Sequence, residues 1–143
     1  NRFITKLLSV QEGSSFVDSK VELPDGTKVY LSDYIGNGHY VLVNIWASWC
    51  GACIAELPEI RNAGEKYASK NLKLLSISID RDRKDWETAL KRLGLPWTQV
   101  LADYSFVNSY GINKIPVLML ISPDGIILKR NFGIEDLNRL FQN

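Results

Sequence analysis

The sequence predicts an α/β domain, with a central mixed β-sheet and helices on both faces, and three observations carry that reading. Tyr40-Val41-Leu42-Val43-Asn44-Ile45-Trp46 is nearly continuous in its apolarity, as a strand buried on both faces requires. After it, Cys53, Leu57, Ile60, Gly64 and Tyr67 recur at steps of four and three, the stripe of a helix packed on a sheet. Strand and helix patterns then alternate before a hairpin and a last helix, the order of a mixed sheet covered on both sides.

Along the chain, short strands over 21–23 and 28–31 flank Pro24-Asp25-Gly26-Thr27 and predict an N-terminal hairpin. A polar break at Ser32-Asp33-Tyr34 and Gly36-Asn37-Gly38 precedes the central strand. Pro58 interrupts the striped helix and removes the donor that would bond the Ile54 carbonyl, so a local bend is expected there. Residues 72–79 read as a second buried strand, 85–93 as a helix closed by Gly94, and 97–101 as a short strand. Strands over 117–121 and 126–129 flank Ser122-Pro123-Asp124-Gly125 as a second hairpin, and 135–141 offers a terminal helix.

At 143 residues the chain suits one domain, 1–143, long enough to bury a core without disulfide or metal staples. Its 17 basic and 16 acidic side chains leave a formal charge of +1, which gives no field to attract nucleic acid. The stretch 80–84 alternates in sign and reads as a solvated surface loop. No run reaches the ~18 apolar residues of a membrane span. The chain begins Asn1-Arg2-Phe3 and its one methionine is Met119, so the expectation is that a leader, anchor or further domain preceded it.

Two cysteines cannot form a disulfide framework, which turns attention to reactive thiols. Cys50 falls where the buried strand gives way to the striped helix. There, unpaired backbone N–H groups and the helix dipole favour thiolate over thiol, lowering a cysteine pKa from about 8.5 to as low as ~3.5–7.5. Cys53 follows three residues on, one turn along the same helix face, within reach of disulfide formation. Such a pair supports two-step exchange: Cys50 attacks a substrate disulfide and Cys53 displaces the substrate from the mixed disulfide. Cys50 is expected to face outward and Cys53 to be shielded. A zinc site would need two further ligands, and His39 alone cannot supply them, so neither metal nor other cofactor is expected.

The run Asn44-Ile45-Trp46-Ala47-Ser48-Trp49-Cys50-Gly51-Ala52-Cys53, followed by Glu56 and Pro58 and, far downstream, by Ile115-Pro116 before a hairpin, resembles the thioredoxin superfamily. It is most similar to the membrane-anchored or periplasmic thioredoxin-like proteins, AhpC/TSA-related, that serve cytochrome c maturation and other reduction in the bacterial envelope. The resemblance implies a thioredoxin fold with its core over about 21–141, an N-terminal β-hairpin and an extra βα insertion within 80–103. It implies a thiol-disulfide oxidoreductase with Cys50 and Cys53 as the catalytic pair and Glu56 modulating them. Trp49, Ile115 and Pro116 would then contact substrate, with Ile115-Pro116 in the cis form. The implied partners are protein disulfides or dithiols and an upstream thiol donor, and the implied location is the periplasm or cell envelope.

Two departures bear on the chemistry. Thioredoxins carry a buried aspartate where this chain has Asn44, which cannot move a proton; Glu56 reads either as a solvated helix residue or as the carboxylate that would replace that aspartate. The residues between the cysteines are Gly-Ala instead of Gly-Pro, so the redox direction does not carry over. Asn44 itself reads as a buried amide satisfied by backbone. Trp46, Trp86 and Trp97 read as core, and Trp49 as a partly exposed wall beside Cys50.

Two other classes of function compete. A peroxiredoxin-like peroxidase would have a proline seven residues and a hydroxyl three residues before the attacking cysteine, where this chain has Val43 and Ala47. A non-catalytic binding domain of a larger envelope protein would leave the thiols incidental.

Overall fold

The sheet is organised by β3 (Tyr40–Trp46), whose side chains alternate between two buried faces. The structure, a computed structural model, describes residues 11–141. Val41, Val43 and Ile45 point into one core with Leu75, Ile77, Val100 and Met119. Leu42 points the other way, into a core with Leu57, Ile60 and Ala63. β4 (Leu72–Ser78) lies parallel to β3, in the register Leu42↔Leu74 and Asn44↔Ser76, and β5 (Thr98–Leu101) lies parallel to β4. β6 (Val117–Ile121) runs antiparallel on the other side of β3, and β7 (Ile127–Arg130) completes the second hairpin. The first hairpin, β1 (Lys20–Glu22) and β2 (Lys28–Tyr30), joins the sheet through Glu22 opposite Leu101. The order is therefore β2-β1-β5-β4-β3-β6-β7, a mixed sheet.

Helix α1 (Gly51–Lys66) lays Cys53, Leu57, Ile60 and Ala63 on the sheet and continues through Pro58, which is exposed. Gly64 is the point of closest approach: a Cβ there would stand 2.5 Å from Leu74 Cδ1. Helix α2 (Arg83–Leu93) begins with Asp82 accepting from the Lys84 N–H and ends on Gly94, whose φ of 59° a side chain would disfavour. Arg83 ties this helix to the first hairpin through Glu22 and the Pro24 carbonyl.

Helix α3 (Tyr104–Ser109) has no counterpart in the sequence-based expectations; Asp103 caps it by accepting from the Ser105 and Phe106 N–H groups. Helix α4 (Ile134–Phe141) covers α1, with Phe141 stacked on Tyr67. No helix among the described residues is long and apolar enough to cross a membrane.

Candidate active site

Cys50 is the N-cap of α1, in an extended conformation with the helix starting at Gly51. It is joined to Cys53 by a disulfide with the Cα atoms 5.3 Å apart. The Cys53 backbone N–H donates to Cys50 Sγ at 3.1 Å. In this arrangement the sulfur takes the place of the oxygen that a serine or aspartate N-cap offers to the first turn of a helix. A negative sulfur would be favoured there by that N–H and by the helix dipole.

The expected contrast between the two cysteines is one of degree. Cys50 is 8% exposed and Cys53 1%, so the thiol expected to face outward is largely covered in the disulfide form. Trp46, Ala47, Trp86 and Ala89 share one buried cluster with both cysteines, and Ile115 packs against it.

Glu56 lies on α1, half-buried, with Oε1 enclosed and lacking any hydrogen-bond partner. Burial pushes its carboxyl above the usual range, and neighbouring Glu59 adds to the effect. It lines a cavity of about 420 Å³ together with Pro116, Ile112, Asn113 and Phe132. The Ile115–Pro116 peptide is cis. Cys50, Cys53 and Ile115 therefore meet in one cluster, and Glu56 and Pro116 share one cavity.

Trp49 stands apart from that cavity. It is 68% exposed and lines a different groove, of about 1020 Å³, with Ile79, Asp80 and Tyr104.

Three residues differ from their sequence reading. Asp80 is 5% exposed, not on the surface, and accepts hydrogen bonds from Ser48 and Ser78. In the rest of 80–84, Arg81, Asp82 and Lys84 are exposed as expected, but Asp82 is the N-cap of α2 and Arg83 and Lys84 its first residues, so the stretch is not a free loop. Asn44 is buried as expected, but its Oδ1 accepts from the Ser76 hydroxyl, a side chain on the neighbouring strand. Ser76 Oγ in turn accepts from Trp97 Nε1 at 2.7 Å, so Trp97 is a partly buried end of a polar chain and not simply core. The alternation of β4 could have revealed Ser76 and Ser78, since both fall on a face otherwise apolar.

Among the described residues, no group of three or more His, Cys, Asp or Glu side chains could hold a metal ion. His39 sits in the loop before β3, its Nε2 3.1 Å from the Tyr34 carbonyl.

Comparison with known proteins agrees with this geometry. The Redoxin family model matches residues 11–140. The thiol-disulfide oxidoreductase ResA of Bacillus subtilis is 27% identical over 122 residues, covering 85% of this chain and 67% of that protein. A thiol-disulfide oxidoreductase from Bacteroides fragilis superimposes with a TM-score of 0.77 at 32% identity, covering 90% of this chain and all of that one. The thioredoxin domain of a thiol-disulfide oxidoreductase from Bacteroides vulgatus gives a TM-score of 0.82 at 27% identity, over 94% of this chain and 100% of its own.

Proposed function

The chain belongs to the Redoxin family, and from that premise we propose that this thiol-disulfide oxidoreductase reduces protein disulfides through Cys50 and Cys53. The observation that carries the reading is the disulfide at the start of α1, with the Cys53 N–H directed at the Cys50 sulfur.

In the reduced protein, the Cys50 thiolate attacks one sulfur of a substrate disulfide. A Cys50–substrate bond forms, the substrate S–S bond breaks, and the first substrate thiolate leaves. Cys53, as thiolate, then attacks Cys50 Sγ and expels the second substrate thiolate. Two electrons have passed to the substrate, and Cys50–Cys53 is again a disulfide. An upstream dithiol restores it by the same two steps in reverse.

Cys53 must lose a proton before the second step. Glu56, on the same helix with an enclosed, unpartnered oxygen and a raised pKa, is suited to accept it. Ile115, which precedes cis-Pro116, packs against the cluster that holds both cysteines, and its backbone would pair with an extended substrate segment as an added strand does. The resemblance to envelope thioredoxin-like proteins supports the periplasm or cell envelope as the compartment, where disulfides form and persist.

Removing the resolving thiol tests the reading. Cys53→Ser made in the envelope should accumulate mixed disulfides with protein partners on non-reducing gels, and Cys50→Ser should not. Equilibration with glutathione fixes the direction: a potential near about −270 mV marks a reductant, one near about −120 mV an oxidant. Turnover of hydroperoxide by Cys53→Ser, with no trapped protein, would replace this reading with the peroxidase.

A further inference from the structure

The segment between β3 and Cys50 is only Ala47-Ser48-Trp49, and three ties hold it. The Ile79 N–H donates to the Trp46 carbonyl at 2.9 Å, and the Cys50 N–H to the Ala47 carbonyl at 3.0 Å. The third tie is the Asp80 carboxylate. It accepts from the Ser48 N–H at 3.1 and 3.0 Å through its two oxygens, and from the Ser48 hydroxyl at 2.7 Å. Ser78 Oγ donates to Oδ2 at 2.6 Å.

A carboxylate that only closed the turn after β4 would need no more than Ser78, two residues back. Asp80 instead grips a residue 32 positions away in sequence and two positions before the reactive cysteine. It does so while buried, and among the described residues no lysine or arginine pairs with it. Burying a carboxylate is costly unless donors surround it, so every donor counts, and most of them belong to Ser48.

Resting on the exchange reading above, we propose that Asp80 is a positioning residue for Cys50. By clamping Ser48 it fixes the loop so that the sulfur meets the Cys53 N–H in the reduced protein as it does in the disulfide. Neither sulfur touches Asp80 in this scheme. Its influence passes through Ser48 and Trp49 to the backbone of Cys50, where a displacement of about 1 Å is enough to cost reaction rate.

The test is the pH profile of iodoacetamide labelling of Cys50 in the fully reduced protein, together with the rate of exchange with a model disulfide. Asp80→Ala releases the clamp. Its labelling midpoint should rise by about one pH unit, because the thiolate loses a hydrogen bond, and exchange should slow about ten-fold. Asp80→Asn should keep most of the wild-type profile, since its amide oxygen can face Ser48 while its NH2 faces the Ser78 hydroxyl. Ser48→Ala, which removes one of the bonds, should fall between. Glu56 on α1 and the other carboxylates that line the Trp49 groove, Glu22, Asp82, Asp85 and Asp103, stay in place throughout, as do its cations Lys20, Lys28 and Arg81.

A merely structural Asp80 would lower Tm without moving the labelling midpoint, and a wild-type midpoint in both Asp80→Ala and Ser48→Ala overturns the proposal. If Asp80→Ala does not fold, Ser48→Ala decides alone. A midpoint that falls below wild type in both Asp80→Asn and Asp80→Ala also overturns the clamp, in favour of charge, because removing a negative charge favours the thiolate. Labelling requires no substrate, so an inert wild-type protein with a shifted Asp80→Ala profile would sink the exchange reading and leave the clamp standing.

Discussion

Cys53 donates its backbone N–H to the sulfur of Cys50, so the residue expected to resolve the mixed disulfide is also placed to stabilise the group expected to attack. The contact predicts an order of reactivity. Cys50 sits at the helix start and is the more exposed of the two residues, and both share a buried cluster with Trp46 and Trp86. In reduced protein labelled between about pH 6 and 7, Cys50 should be alkylated at least about ten-fold faster than Cys53. Peptide mass spectrometry reads the ratio directly, and faster labelling of Cys53 would reverse the assignment.

Glu56 should act on both stability and thiol chemistry. Its folded pKa is raised, chiefly by burial. A carboxyl of this kind favours the folded state while protonated, below its ordinary value of 4.5, and that contribution is lost as pH rises through the folded value. Ionised Glu56 is therefore a cost near neutrality. Glu56→Gln should raise Tm by about 1–3 °C at pH 7, with the gain fading towards pH 4. The same substitution should lower the thiol pKa values, because a nearby negative charge opposes the thiolate. Thermal melts across pH and thiolate absorbance at 240 nm check the two halves separately.

Ser76 joins Trp97 to Asn44 beneath the helices, donating to one and accepting from the other. Ser76→Ala leaves a part-buried indole N–H and a buried amide oxygen without that partner. The expected cost is about 1–3 kcal/mol, more than the loss of one exposed hydroxyl. Urea unfolding followed by tryptophan fluorescence measures it, and a change below about 0.5 kcal/mol would mean that other groups take over both bonds.

What could be read from the sequence follows the range of the interactions involved. β3 was legible because both its faces are apolar, and the cysteine pair because its geometry lies within one helical turn. The stripe of α1 was legible too, although the buried position in its fourth turn is Ala63, while Gly64 serves to let Leu74 approach. Helix α3 escaped because six residues, with Phe106 the one buried side chain, carry no periodicity; the Asp103 cap was its one local signal. Asp80 was read as surface because its sequence neighbours are charged, whereas its partner Ser48 is brought to it only by the pairing of β3 with β4. Asn44 was recognised as buried, but its partner was again a register fact, Asn44 opposite Ser76.

Trp49 presents the last consequence. It precedes Cys50 directly, yet 68% of it is exposed, and it shares its groove with Tyr104, itself 75% exposed. Large aromatic side chains left open beside a reactive sulfur gain by being covered, and covering an indole is worth about 1.5 kcal/mol or more. A polypeptide lying across the disulfide can cover Trp49, whereas a small disulfide cannot. Trp49→Ala should therefore raise KM for a polypeptide disulfide about ten-fold, while the second-order rate with oxidised glutathione stays within about two-fold of wild type. Steady-state assays with the two substrates separate the cases. An equal fall with both would mean that Trp49 acts on the sulfur itself, through the loop that Ser48 and Asp80 hold, and not on the substrate that lies over it.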